Sequence, residues 1–164
     1  MNGAAGLLKA LTGINIACFL LFVLVLAGSY AAESVIVAAL AKDSPTADPR
    51  TMLRALRAVM VVAALMVPLA HVLLTRLSAI VATVRAGDPF VAANARRLTV
   101  IAWALLGMQI LDLGFGAAAT LSGVDAVPDW TFSLTGWLAV LLLFVLARVF
   151  EHGTRMRDEL EGTI

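Results

Sequence analysis

The chain has 164 residues, of which 62% are hydrophobic and 14% are charged, and its mean hydropathy is +0.98. In a soluble domain about 25% of the residues are charged, so this composition argues against a soluble protein and favours membrane spans. The net charge of +1 gives no electrostatic reason to expect direct binding of nucleic acid. The single cysteine, Cys18, excludes an internal disulfide and a multi-cysteine metal site.

Four apolar blocks follow one another along the chain, at about residues 11–32, 58–80, 98–121 and 134–150. Each block is long enough to cross a hydrocarbon core of about 30 Å as a helix. The first block also fits a signal peptide that starts near Lys9, but we predict a retained span. The sequence therefore predicts an all-α membrane protein, with four transmembrane helices in a bundle that forms one domain over residues 1–164. Residues 151–164 are expected to be a cytoplasmic tail.

The distribution of basic residues predicts the orientation of these helices. The amino-terminal region, the second connection and the carboxy-terminal region hold eight of the twelve basic residues, namely Lys9, Arg76, Arg85, Arg96, Arg97, Arg148, Arg155 and Arg157. The connection over residues 122–133 has no lysine or arginine, only Asp125 and Asp129. We therefore predict that both termini are cytoplasmic and that the protein lies in the bacterial inner membrane. Arg50, Arg54 and Arg57, on the opposite side, are expected to meet lipid headgroups.

A polar segment, GDPFVAANARRL over residues 87–98, separates the second and third spans. Gly87 suits the end of a helix, Asp88 is a candidate cap for the next helix, and Pro89 fits its first position. Arg96 and Arg97 would then lie at the headgroup level, where arginine attracts anionic lipid. Two interpretations stay open: a capped return of the chain into the membrane, or a docking surface for a cytoplasmic partner.

The carboxy-terminal tail is the second candidate for partner binding. Opposite charges stand four residues apart, Arg155 with Glu159 and Arg157 with Glu161, which predicts a solvated helical extension of the fourth span. Gly153 is expected to loosen the junction with that span. The candidate partner-binding residues in the two polar segments are Asp88, Phe90, Asn94, Arg96, Arg97, Arg155, Arg157 and Glu159.

The pattern G-D-P-F-V-x-x-N-A-x-R-L, followed by an apolar span, resembles the family catalogued as domain of unknown function 2975. The tail VFEHGTRMRDELEGTI is similar to the ending of that family, with matching residues at Phe150, Gly153, Arg157, Glu159, Thr163 and Ile164. The two motifs occur in the right order, and the four-span layout extends the resemblance over nearly all of the chain. The sequence departs from the pattern at Ala-Arg-Arg before Leu98, and at Gly162, where a larger or more polar residue is usual.

The resemblance implies a bacterial integral membrane protein with four helices, and it implies no particular chemistry. Members of the family are often encoded beside small helix-turn-helix regulators of the Xre or Cro type. This association implies a cytoplasmic regulator of that type as a partner, although the chain has no such DNA-binding module itself. We therefore expect a non-enzymatic regulatory or scaffold protein.

Ionisable residues at membrane depth are costly and provide an alternative set of functional candidates. Asp112 lies near the centre of the third span with Gln109 three residues before it, while His71 lies in the second span and Asn15 in the first. Three interpretations of Asp112 stay open: a hydrogen-bonded clasp with Gln109 or Asn15, a proton or cation path with His71, or a contact with a ligand or another subunit. The second would make the protein a small channel or proton-linked transporter.

Other chemistry finds little support in the sequence. There is no HExxH motif, no phosphate-binding glycine loop before a lysine, and no serine in a nucleophile elbow. A membrane haem needs two axial ligands, and only His71 lies at depth, because His152 is in the tail. We therefore expect no enzymatic activity, no metal and no cofactor. Small residues such as Gly114 and Gly116 allow close helix contacts, either within one chain or in a homo-oligomer.

Overall fold

The computed structural model describes residues 2–43, 48–122 and 130–161, and it is all-helical over them, without a strand. The helices are α1 (Asn2–Ala31), α2 (Glu33–Asp43), α3 (Pro49–Arg85), α4 (Ala92–Ser122) and α5 (Leu134–Glu161). Four of these described helices, α1, α3, α4 and α5, are long and apolar enough to cross a membrane. The prediction of an all-α protein with four long apolar helices is therefore confirmed.

The long helices expose large apolar side chains along much of their length. Leu24 of α1 is 69% exposed and Leu142 of α5 is 63% exposed. In water, each Å² of apolar surface that stays exposed loses about 25 cal/mol of the stabilisation that burial would give. Exposure to lipid has no such cost, because lipid tails are as apolar as leucine. These surfaces are those of a multi-pass membrane protein.

The short helix α2 was not predicted from the sequence. It follows α1 almost without a break, because the Ala32 N–H donates to the Gly28 carbonyl (2.9 Å) and the Ile36 N–H donates to the Ala32 carbonyl (3.0 Å). Residues 33–43 include Glu33 and Lys42 and are too few to cross a membrane. Hydropathy therefore gave no signal for this helix.

Helix α3 begins with a capped turn at Asp48. The carboxylate accepts hydrogen bonds from the backbone N–H groups of Arg50 (3.3 Å) and Thr51 (3.1 Å), and from the Thr51 hydroxyl (2.6 Å). The Thr51 hydroxyl, followed by the Arg50 N–H, lowers the pKa of Asp48 below its ordinary value of 3.8. The cap therefore stabilises α3 above that value and is lost as the pH falls through the lowered pKa. Pro49 is the first residue of α3, a position where no N–H is needed.

The described helices pack as two units. The first unit is Met1–Asn15, Leu69–Gln109 and Ser133–Ile164, and the second is Ile16–Pro68 and Ile110–Phe132. In the first unit, the start of α4 and the middle of α5 supply most of the buried apolar side chains, including Leu98, Ile101, Ala102, Ala104, Val140 and Ala147.

In the second unit, Arg57 of α3 contacts both α1 and α2. Its guanidinium donates to the Ser29 carbonyl (2.6 Å), the Ser29 hydroxyl (3.1 Å) and the Glu33 carboxylate (3.1 Å). It also lies 3.8 Å from the centre of the Tyr30 ring, and the Arg57 side chain is only 13% exposed. The expectation that Arg57 meets lipid headgroups is therefore wrong, because α1 and α2 already supply its acceptors.

Candidate functional site

The polar segment leaves α3 through a left-handed glycine. Gly87 has a φ of +91°, its N–H donates to the Val84 carbonyl (3.1 Å), and the Asp88 N–H donates to the Thr83 carbonyl (3.2 Å). This pair of hydrogen bonds is a Schellman motif, which satisfies the last carbonyls of a helix and favours glycine at the left-handed position. The prediction that Gly87 ends a helix is confirmed.

The start of α4 differs from the prediction. The helix begins at Ala92, and the Val91 carbonyl accepts a hydrogen bond from the Asn94 N–H (2.8 Å). The predicted roles of Asp88 as the cap and of Pro89 as the first helical residue are therefore wrong. Helix α4 then continues without a break through the third apolar block to Ser122.

Asn94 is fully buried at the centre of a hydrogen-bond network. Its Nδ2 donates to the Pro89 carbonyl (2.8 Å) and to the Thr83 hydroxyl oxygen (2.8 Å), and the Thr83 hydroxyl lies 2.8 Å from the Ile80 carbonyl. The Asn94 carbonyl oxygen accepts from Nη1 of Arg97 (2.8 Å). One amide group thus joins the end of α3, the connecting segment (residues 86–91) and the start of α4.

Arg97 strengthens the same connection from α4. Its Nη1 also donates to the Ala79 carbonyl of α3 (3.3 Å). Asn94 and Arg97 were predicted to bind a partner, but the structure gives both of them contacts inside the chain. Asn94 in particular has no exposed surface to offer, because its amide is enclosed by the residues that it holds together.

The connecting segment contacts one face of α5. Nη1 of Arg157 donates to the Asp88 carboxylate (2.6 Å), and the rings of Phe90 and Phe150 stack with their centres 5.4 Å apart. A Cβ at Gly153 would lie 3.8 Å from the Phe90 ring. Phe150, Gly153 and Arg157 are three and four residues apart, which places them on the same helix face. We call these five residues the loop–tail junction.

The tail is helical to Glu161, and Gly153 does not interrupt it. Arg155 pairs with Glu151 on the preceding turn (3.8 Å) instead of with Glu159, and Arg157 pairs with Asp88. The side chain of Glu161, together with the whole of Thr163 and Ile164, lies outside the described part of the tail. The helical extension is therefore confirmed, although the charge pairing of Arg155 was predicted wrongly.

Several side chains near the junction remain exposed. Phe90 is 49% exposed and Met156 is 62% exposed, and the Arg155 side chain is 72% exposed. Arg96 and Arg155 also line a groove of about 340 Å³ between α4 and α5, together with Ala92, Ala95, Thr99, Glu151 and Thr154. This end of the molecule therefore presents apolar and basic groups on a surface that the junction holds in place.

Asp112 makes a specific contact in the second unit. Its Oδ2 accepts a hydrogen bond from the Trp130 indole N–H (3.2 Å). Gly116 allows this contact, because a Cβ at that position would overlap the Trp130 ring. One of the three interpretations left open by the sequence gave Gln109 or Asn15 as the partner of Asp112. The structure instead shows the indole hydrogen-bonded to α4.

Gln109, His71 and Asn15 belong to the first unit. The Gln109 amide packs against Gly136, and its Nε2 is buried without a hydrogen-bond partner among the described residues. His71 and Asn15 are partly buried, and the Thr75 hydroxyl donates to the His71 carbonyl (2.9 Å). Over the described ranges, no three His, Cys, Asp or Glu side chains are grouped as a metal site would require.

The family comparison covers most of this architecture. The model of the family described as "Protein of unknown function (DUF2975)" matches residues 35–164, which include α3, α4, α5 and both segments that meet at the loop–tail junction. No curated protein and no solved structure matches the chain. Because the family match extends over far more than half of the sequence, the chain belongs to the DUF2975 family of proteins of unknown function.

Proposed function

We propose that this chain is a small bacterial inner-membrane protein that acts as a non-enzymatic regulator or scaffold by binding a cytoplasmic partner. The observation that supports this proposal is the loop–tail junction. Asp88 and Arg157, which are 69 positions apart, form an ion pair of 2.6 Å, and the Phe90–Phe150 stack lies beside it. A connecting segment is thereby fixed to the last helix and forms a single binding surface with it.

The composition of this surface suits a protein partner. Arginine, methionine and aromatic residues are enriched in protein interfaces, and Arg155, Met156 and Phe90 are among the exposed side chains here. A connecting segment that is already ordered loses less conformational entropy when a partner binds. A regulator of the helix-turn-helix type is the partner that we favour, since the family resemblance implies it.

The proposal places both termini and the junction in the cytoplasm. Its support is the basic charge near this end of the helices, where Arg85, Arg96 and Arg97 accompany the arginines of the tail. Positively charged residues next to spans are retained on the cytoplasmic side. The same arginines would attract a partner with an acidic surface.

The alternative, a channel or proton-linked transporter that uses Asp112 and His71, has weaker support. Asp112 accepts a hydrogen bond from the Trp130 indole, which suits a packing contact as well as any transport role. Transport would require flux that stops when Asp112 is replaced by asparagine. Partner binding does not depend on that carboxylate.

A pair of variants in the native host tests the proposal. Arg155→Glu combined with Met156→Asp changes the exposed surface beside the junction, and Lys9→Glu is the control, because Lys9 is exposed on the same predicted side. We expect the wild type and Lys9→Glu to copurify a stoichiometric partner in mild detergent. The amount of partner that copurifies with the double variant should be lower by a factor of about ten or more, because a central interface contact contributes roughly 1.4 kcal/mol or more.

Two results would count against partner binding at this surface. One is equal recovery of the partner with the double variant and with Lys9→Glu. The other is a wild-type protein that copurifies only with itself, even after chemical cross-linking in intact membranes. That second result would favour a homo-oligomer and would make proton-flux assays of Asp112→Asn in liposomes the next experiment.

A further inference from the structure

A basic pocket between α3 and α4 is separate from the loop–tail junction. It has a volume of about 320 Å³, and its lining residues are Arg76, Ala93, Arg96, Arg97 and Val100. These five residues bring three guanidinium groups and no carboxylate to one cavity. We infer that the pocket binds the phosphate group of an anionic phospholipid.

The charge of the pocket favours an anion of this geometry. Three like charges around one cavity repel one another, and none of the lining side chains supplies a negative charge. A bound anion would replace this repulsion with attraction. The planar guanidinium of arginine matches phosphate oxygens, because two parallel N–H groups can donate to them at once.

Arg97 gives the pocket a fixed donor. Both hydrogen bonds that Arg97 donates to the described residues, to Asn94 and to the Ala79 carbonyl, use Nη1, so Nε and Nη2 remain for a ligand. Asn94 is itself fully buried and held by its own hydrogen bonds. The guanidinium is therefore preorganised, and preorganisation lowers the entropic cost of binding. Arg76 and Arg96 are exposed and can adjust to the ligand.

The apolar surface next to the pocket indicates a lipid and not a free phosphate. Arg96, Val100 and Trp103 are four and three residues apart and therefore follow one face of α4, and the path from Arg96 to Trp103 leads into its apolar part. Trp103 is 61% exposed. A phospholipid satisfies both features, because its phosphate meets the arginines and its acyl chains cover the apolar face. Inorganic phosphate would satisfy only the first.

Native mass spectrometry of the full-length protein in detergent tests this assignment. The probes are phosphatidylglycerol, phosphatidylcholine and inorganic phosphate, each added in a titration. We expect the wild type to bind one phosphatidylglycerol, at least about tenfold more tightly than phosphatidylcholine. Arg76→Gln with Arg96→Gln should weaken this binding roughly 25-fold, since each arginine near anionic lipid contributes roughly a factor of five. The control pair, Arg50→Gln with Arg54→Gln, removes the same charge from the start of α3 and should leave the affinity unchanged.

A second variant keeps the positive charge of the pocket and reduces its volume. Ala93→Leu should fill the pocket and also weaken phosphatidylglycerol binding, while circular dichroism reports whether each variant keeps its helices. Equal affinity for the two lipids, or unchanged binding in both pocket variants, would overturn the inference. Displacement of the lipid by millimolar inorganic phosphate would also overturn it, because the ligand would then be a soluble phosphate.

Discussion

Replacing Asn94 by alanine is expected to lower the free energy of unfolding by about 3 kcal/mol, because buried groups that lose their hydrogen-bond partners cost about 1–3 kcal/mol each. The substitution removes the hydrogen bond to the Pro89 carbonyl, one of the two hydrogen bonds of Arg97 Nη1, and a hydrogen bond of the Thr83 hydroxyl. The site is fully buried, so water does not readily replace the amide. Reversible unfolding in detergent, followed by circular dichroism, measures the loss.

Thr99→Ala is the matched control for this prediction. Thr99 lies in the same helix, and among the residues that the structure describes its hydroxyl bonds only to the Ala95 carbonyl of its own helix (3.1 Å). We expect this variant to change the stability by no more than about 0.5 kcal/mol. Equal stabilities for Asn94→Ala and Thr99→Ala would mean that the buried network does not hold α3 and α4 together. Hydrogen exchange at residues 86–92 should rise only in Asn94→Ala.

Gly116→Ala is expected to destabilise the second unit by about 1–3 kcal/mol, which is the usual cost of adding atoms to a filled site. The new methyl group would overlap the Trp130 ring, and the ring is not a flexible chain end that can move aside easily. The indole should therefore leave its position on α4 and lose its hydrogen bond to Asp112. Trp130 fluorescence, in a background with Trp103→Phe and Trp137→Phe, reports that displacement together with the midpoint of unfolding.

Gly114→Ala separates this overlap from the general effect of alanine on a helix. Gly114 stands two residues before Gly116 in α4, and a Cβ there would meet nothing within 4 Å. Alanine is favoured over glycine in a helix by up to about 1 kcal/mol, so Gly114→Ala should be neutral or stabilising, with unchanged Trp130 emission. If both variants behave alike, the close contact between Gly116 and Trp130 does not exist in the membrane protein.

The parts of the fold that could be predicted are those that local sequence determines. Length and apolar character identify α1, α3, α4 and α5, because a span in lipid must be a continuous helix of sufficient length. The helix end at Gly87 was also predictable, since a left-handed position favours glycine. Helix α2 was missed because it is short and carries charge, so it has no comparable hydropathy signal.

The contacts that could not be predicted connect distant positions. No local sequence pattern indicates that Asp88 pairs with Arg157 instead of capping α4, because either role would give its carboxylate a hydrogen-bond donor. The hydrogen bond from the Trp130 indole to Asp112 joins positions that are 18 residues apart, so no local pattern predicts it. Asn94 was predicted to bind a partner, whereas it is buried and its hydrogen bonds within the chain make that burial favourable.

The structure relates the two sequence motifs to each other. The first motif supplies Asp88 and Phe90, and the second supplies Phe150, Gly153 and Arg157, which together form the loop–tail junction. Residues recognised separately along the chain therefore meet in one place. The proposed function depends on the surface beside this junction.

Exchange of the two charges at the junction is the most direct test of that proposal. Asp88→Arg and Arg157→Asp should each place like charges in contact, detach the connecting segment and reduce partner capture. The double variant carries both changes, restores an opposite pair and leaves the net charge unchanged, so the topological signal is preserved as well. We predict that the double variant regains most of the capture and the slow hydrogen exchange at residues 88–92. The contrary result is a double variant that captures no more partner than the worse of the two single variants. It would show that partner binding does not depend on the junction.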